Sequence, residues 1–107
     1  MFLDFLKKQD INHGFDEYKT VNGAVLLDVR TSAEYREGHV PGSKNIDVAE
    51  IATVTSLIKG KSTPIFVYCL SGARSSRAVS ALKSMGYTNV KNIGGISSYS
   101  GHVEKGA

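Results

Sequence analysis

The chain has 107 residues and a formal net charge of +3, with 41% hydrophobic and 21% charged residues. This length predicts one domain over residues 1–107, and the composition excludes a disordered or fibrous chain. The longest apolar run covers residues 65–70, too short for the roughly 20 residues of a membrane-spanning helix, and the basic residues are scattered, so neither a membrane nor a nucleic-acid partner is expected.

The N-terminal part of the chain carries weak structural signals. Residues 1–8 lack a basic start and hold an acid inside their apolar patch, so we expect no signal peptide and a cytoplasmic protein. Ile11 and Asn12 are a possible edge strand. Phe15 and Tyr18 predict a helix that ends before the turn sequence Asn22-Gly23.

The next segment contains the first buried strand. Residues 24–29 form a nearly continuous apolar run, which favours a strand buried on both faces of a parallel sheet. Thr31 is expected to cap a short helix over residues 32–37, because Glu34 three residues later completes a capping box. Residues 44–46 are predicted to be a shorter strand.

The second half of the chain repeats this alternation. Apolar residues at positions 51, 54 and 58 predict an amphipathic helix that ends near Gly60, and residues 64–68 predict a second buried strand. A further helix is predicted from Ser75 onward, with Gly86 as its C-terminal stop, followed by a strand over residues 89–93. This order predicts an α/β fold with a small, mostly parallel open sheet flanked by helices on both faces.

Cys69, the only cysteine of the chain, follows the most apolar strand. Ligands of open α/β sheets bind outside the carboxyl ends of the strands, so the functional site is expected here. Gly72 allows a tight turn, so that backbone N–H groups converge on the sulfur as an anion-binding nest beside the start of the next helix. Most free cysteines are merely small buried hydrophobes, but in this position a lowered thiol pKa predicts a nucleophile.

The residues around Cys69 complete the predicted site. Arg74 is expected to contact the anionic part of a substrate, with help from Arg77 one helical turn further on. Asp28 and Arg30, at the end of another strand, are expected to support the loop through hydrogen bonds or an ion pair. The histidines share no metal-ligand spacing with Cys69, so neither a metal nor an organic cofactor is expected. The predicted substrate-binding residues are Leu70, Ser71, Gly72, Ala73, Arg74 and Ser75.

Residues 69–75 resemble the active-site loop of the rhodanese family, whose pattern is Cys-x-x-Gly-x-Arg-Ser. Residues 27–46 resemble the family's upstream signature, Asp-Val-Arg followed by Glu and Gly-His-Ile-Pro-Gly-Ala, and residues 92–95 resemble its Gly-Gly corner. Three blocks in the same order, spanning residues 11–100, make the resemblance specific. The chain departs from the family at Ile96, where an aromatic residue is usual, so we expect different packing of the last helix.

The resemblance implies a sulfurtransferase that works through a cysteine persulfide. Cys69 would take a sulfane sulfur from a small anionic donor such as thiosulfate and pass it to cyanide, a thiol or a protein acceptor. This is nucleophilic catalysis by an activated thiolate. The resemblance also implies a structural role for Asp28 and Arg30.

Two alternatives stay open at this point. Phosphatases and arsenate reductases of the same fold use Cys-x5-Arg, whereas Arg74 follows Cys69 after four residues and Ser75 stands where that pattern has arginine. The resemblance implies that the shorter loop closes around sulfur rather than phosphate. A sulfur carrier or redox-sensing module without turnover needs the same loop, and nothing in the sequence excludes it.

Overall fold

Four strands form one sheet in the computed structural model, which describes residues 10–107. The order across the sheet is β2-β1-β3-β4, and each neighbouring pair is parallel. All five residues of β3 are buried, because both faces of the sheet are covered at this strand, and this accounts for its continuous apolar sequence. The strands are β1 (Val25–Asp28), β2 (Lys44–Asn45), β3 (Ile65–Cys69) and β4 (Val90–Gly95).

Helices cover both faces of this sheet, which confirms the predicted α/β fold. Their bounds are α1 (Ile11–Thr20), α2 (Ser32–Glu37), α3 (Val54–Leu57) and α4 (Ala73–Ser84), with 3₁₀ helices at Val48–Thr53 and Ile96–Ser98. Within residues 10–107, none of these helices has the length and apolar character needed to span a bilayer. Residues 1–8, for which no signal peptide is expected, lie outside the described part of the chain.

Alternate strand residues point to opposite faces of the sheet and supply two separate cores. The core beneath α3 and α4 contains Leu27, Val67, Cys69, Val54, Ala78 and Leu82. The core beneath α1 contains Leu26, Phe66, Tyr68, Ile11 and Ile93. Cys69 therefore belongs to the core on the α4 side, at the carboxyl end of the sheet.

The predicted edge strand at Ile11 and Asn12 is wrong, because these residues form the first turn of α1. The Asp10 carboxylate accepts a hydrogen bond of 3.0 Å from the Asn12 amide and so caps the helix. This cap satisfies an N–H group that has no partner within the helix, which favours a helical start over an extended edge.

The helix predicted around residues 51–58 is present in two parts. It begins as a 3₁₀ helix at Val48–Thr53, capped by the Asp47 carboxylate, and continues as α3. Glu50 has non-helical backbone angles (φ −111°, ψ 20°), which break the segment. The capping box predicted at α2 is confirmed, with the Thr31 hydroxyl accepting from the Glu34 amide at 3.2 Å.

The chain after β4 contains no further α-helix. It forms only the short 3₁₀ helix at Ile96–Ser98. Tyr99 then packs edge-on against Phe15 of α1, with ring centroids 5.9 Å apart. Tyr99 thus supplies an aromatic ring three residues after Ile96, and it packs against the core on the α1 side.

Candidate active site

Cys69 ends β3, and the next three residues turn the chain into α4. Gly72 makes this turn with φ +104°, a left-handed conformation that glycine adopts readily. The turn directs the Gly72 amide to the sulfur, where it donates a hydrogen bond of 3.0 Å to Cys69 Sγ. Residues 69–75 are called the Cys69 loop below.

Hydrogen bonds, rather than contact with water, favour the deprotonated form of the Cys69 thiol. Cys69 is only 1% exposed, and burial raises its pKa. The Ser75 hydroxyl, 3.4 Å from Sγ, and the backbone amides of Ser75, Gly72 and Ser71 lower the pKa. These donors outweigh burial, so the pKa of Cys69 lies below its ordinary value and the nucleophilic thiolate is favoured.

Asn92 connects the Cys69 loop to β4. Its Nδ2 donates to the Gly72 carbonyl at 3.1 Å, and its Oδ1 accepts from the Gly94 amide at 2.9 Å. The same Oδ1 lies 2.8 Å from the Ser75 hydroxyl, whose single proton is shared between this oxygen and Cys69 Sγ. The register of β3 and β4 shifts at this point, because Val67 pairs with Asn92 while Tyr68 pairs with Gly94. We did not predict this role, and the only signal in the sequence was a polar amide within a strand beside two glycines.

Arg74 is ion-paired rather than free. Its Nη1 and Nη2 donate to the two Glu34 carboxylate oxygens at 2.7 and 3.0 Å. The hydrogen bond from Arg74 is the main cause that lowers the pKa of Glu34 to about 2, so the carboxylate is charged at neutral pH. The pair joins α2 to the first turn of α4. A substrate contact by Arg74 therefore depends on the N–H groups that Glu34 leaves unused.

Asp28 and Arg30 form a buried ion pair, 0% and 5% exposed. Arg30 Nη2 donates to the Asp28 carboxylate and to the Gly38 carbonyl, both at 2.7 Å. Within residues 10–107, the side-chain hydrogen bonds of this pair reach residue 38 and not the Cys69 loop. Direct support of that loop by the pair stays a prediction. The guanidinium also lies 5.8 Å from the ring centre of Tyr68, the residue before Cys69.

Among the hydrogen bonds of residues 10–107, none joins a histidine to the Cys69 loop. His39 stacks on Tyr35 with ring centroids 3.7 Å apart, and its Nδ1 lies 2.8 Å from the Tyr35 carbonyl. In the part of the chain that the structure describes, no three His, Cys, Asp or Glu side chains are grouped so that they could hold a metal ion.

Comparison with known proteins identifies the family of this chain. The family described as rhodanese-like domain matches residues 9–102 of the chain. The protein belongs to this family. A rhodanese-like domain with a single cysteine is thus a member of a sulfurtransferase family.

Three relatives of this rhodanese-like domain show the range of the family. Thiosulfate sulfurtransferase PspE of Escherichia coli (strain K12) is 37% identical over 71 residues, which cover 65% of the chain and 68% of PspE. Putative sulfur carrier protein YrkF of Bacillus subtilis (strain 168) is 32% identical over 68 residues, covering 64% of the chain and 36% of YrkF. A solved structure titled "rhodanese with anions from E. coli" matches with a TM-score of 0.72 at 33% identity, covering 78% and 99% of the two chains.

Ser75→Ala is expected to raise the pKa of the Cys69 thiol, because it removes the hydroxyl that lies 3.4 Å from Sγ and lowers this pKa. The rate of alkylation by iodoacetamide, measured against pH, should then reach its midpoint at a higher pH than in the unchanged domain. Since the chain has one cysteine, all of the signal comes from Cys69. Ser76→Ala, at the exposed neighbouring position, is the matched control and should leave the midpoint in place. An unchanged or lowered midpoint for Ser75→Ala would contradict this account of the thiol.

Gly95→Ala is expected to displace the Cys69 loop of this rhodanese-like domain. A Cβ at position 95 would overlap the Leu70 carbonyl and lie 2.5 Å from Ser71 Cα, and neither backbone atom can move alone. We expect a loss of about 1–3 kcal/mol in the free energy of unfolding and loss of most activity. Gly38→Ala is the control, because its Cβ would meet a Val103 methyl at an ordinary 3.7 Å. The prediction fails if the two variants have equal stability and activity.

Proposed function

We propose that this rhodanese-like domain transfers a sulfane sulfur from a small anionic donor such as thiosulfate to cyanide or a thiol, through a persulfide on Cys69. The observation that carries the proposal is the set of donors directed at Sγ, with the Gly72 amide at 3.0 Å and the Ser75 hydroxyl at 3.4 Å. Fixed donors of this kind stabilise an anionic sulfur without having to reorient during the reaction.

The first step loads the enzyme with sulfur. The Cys69 thiolate attacks the outer sulfur of thiosulfate, a new S–S bond forms, and the S–S bond of the donor breaks, so that sulfite leaves with the electron pair. The total charge is conserved, because a thiolate with one negative charge and thiosulfate with two give a persulfide with one and sulfite with two. Because the lowered pKa supplies the thiolate directly, no separate base is needed.

The second step unloads the sulfur. Cyanide or a thiolate attacks the outer sulfur of the persulfide, and Cys69 leaves as a thiolate. Thiocyanate or a new persulfide is the product. Since the chain has no other cysteine, the attacking group must come from another molecule, either a small acceptor or a protein thiol. The Cys69 loop amides again face a thiolate leaving group, so the same donors serve both steps.

The environment of Cys69 also favours sulfur over phosphate chemistry. The cysteine is 1% exposed, so a single terminal sulfur atom reaches it more easily than a tetrahedral phosphate. Arg74 follows after four residues and is engaged by Glu34. A phosphatase of this fold would need a longer loop around the phosphate.

A sulfur carrier without turnover is the second candidate, and the similarity to YrkF favours it. A carrier would use the same first step and the same persulfide. The two candidates differ in the second step, because a carrier releases its sulfur only to a specific protein acceptor. A cytoplasmic location is part of either proposal, since a lone reactive thiol stays reduced there.

Steady-state assays separate these functions. Purified protein is supplied with thiosulfate and cyanide while thiocyanate release is measured, and in parallel with a chromogenic aryl phosphate. Repeated release of thiocyanate, without hydrolysis of the phosphate, is the expected result. Uptake of one sulfur atom from thiosulfate without release of thiocyanate would indicate the carrier, and hydrolysis of the aryl phosphate would contradict the sulfurtransferase proposal.

A further inference from the structure

We propose that Glu34 determines the charge preference of the donor site. By pairing with Arg74 it cancels the arginine's charge, and it thereby disfavours doubly charged donors such as thiosulfate relative to singly charged persulfides. This inference deepens the proposed function and depends on it. It concerns which donors load Cys69, and not whether Cys69 carries sulfur.

The hydrogen bonds of the Glu34–Arg74 pair hold the two side chains together. Both Nη atoms of Arg74 donate to both carboxylate oxygens of Glu34, at 2.7 and 3.0 Å. Glu34 Oε1 also accepts from the amide and hydroxyl of Thr31, at 3.0 and 3.1 Å. The carboxylate is thus fixed to the first turn of α2 and cannot follow the arginine toward a ligand. The side chains are 27% and 29% exposed, so solvent only partly screens the pair.

The other arginines near the loop do not replace the cancelled charge. Arg30 is paired with Asp28 at 2.7 Å. Arg77 lies one turn further along α4, where it is exposed to solvent and screened. The field at Cys69 therefore comes mainly from the uncharged donors of the loop. Such donors hold one anionic sulfur well but give little extra attraction for a second charge.

The substitution Glu34→Gln removes the negative charge of this side chain while retaining its capping role. Glutamine retains the capping box, whose third residue is Glu or Gln, and its amide oxygen still accepts from Thr31. The substitution leaves Arg74 with a full positive charge beside the loop. Because a Coulomb energy is proportional to the donor's charge, the fold-change for a dianion should be about the square of that for a monoanion.

The second-order rate constant for sulfur uptake is measured by quenching and intact-mass spectrometry, with thiosulfate and with the persulfide of 2-mercaptoethanol. For Glu34→Gln we expect an increase of about tenfold with thiosulfate and about threefold with the persulfide. Saturation kinetics should place the thiosulfate gain in KM. Adding Arg74→Ala should remove the gain, because the effect acts through the arginine.

Glu37→Gln removes an exposed acid from the last turn of the same helix and is the matched control. It should change neither rate constant by more than about twofold. The inference is overturned if Glu34→Gln does not increase the rate constant for sulfur uptake, or increases it equally with both donors, while the unchanged protein still takes up sulfur. If the unchanged protein takes up no sulfur from either donor, the proposed function itself is contradicted.

Discussion

Cys69→Ser is expected to reduce sulfur transfer by more than about 10³-fold, the largest effect on activity in this chain. A serine hydroxyl stays protonated at neutral pH and forms no persulfide. The fold should survive, because the serine oxygen nearly matches the sulfur in shape and can still accept from the Gly72 amide. Thiocyanate release measures the activity, and thermal unfolding confirms that the variant is folded.

A relocated thiol provides the matched control for this result. Ser76→Cys, added to the Cys69→Ser chain, restores one cysteine on the exposed side of α4, away from the donors of the Cys69 loop. We expect this double variant to remain inactive. Substantial transfer by the double variant would show that the donors around Cys69 are not what activates the sulfur, and transfer by Cys69→Ser alone would show that Cys69 does not carry it.

Asp28→Asn is expected to lower the free energy of unfolding by about 3–5 kcal/mol, the largest effect on stability. Asp28 is 0% exposed, and its carboxylate holds the charge of the buried Arg30 guanidinium through bonds of 2.7–3.1 Å. Asparagine has the same size but leaves that guanidinium buried without a counter-charge. Domains of this size have a free energy of unfolding of about 5–15 kcal/mol, so the loss should be readily measured by urea unfolding.

Asp16→Asn is the control for this measurement. Asp16 is paired with Lys19 at 3.4 Å, but its side chain is 75% exposed, and such pairs contribute about 1 kcal/mol or less. Equal midpoints for the two variants would mean that the Asp28–Arg30 pair does not stabilise the fold. The activity of Asp28→Asn, measured at a temperature where the variant is folded, also tests the predicted support of the Cys69 loop by this pair.

The sheet and the position of the cysteine could be predicted because they depend on local patterns. Residues 25–27 and 65–69 are continuous apolar runs, and a strand buried on both faces requires such a run. The capping box at α2 is a signal only four residues long. The edge strand at Ile11 was wrongly predicted because a capping carboxylate one residue earlier decides the helix start.

The partners of the site residues could not be predicted, because they come from distant parts of the chain. Glu34 and Arg74 are 40 residues apart in the chain. The sequence predicts a different role for each of them, since Glu34 completes a capping box and Arg74 is expected to contact the substrate. Asn92 contacts the loop at the point where the register of β3 and β4 shifts. Sequence periodicity carries no information about such a shift, so contacts of this kind require the folded structure.

Intact-mass spectrometry of the purified protein, before and after incubation with thiosulfate, tests the central claim most directly. We expect a gain of one sulfur atom, located at Cys69 by fragmentation, absent in Cys69→Ser and lost again when cyanide is added. A mass that stays unchanged after thiosulfate and after a small persulfide would contradict a sulfur-carrying Cys69.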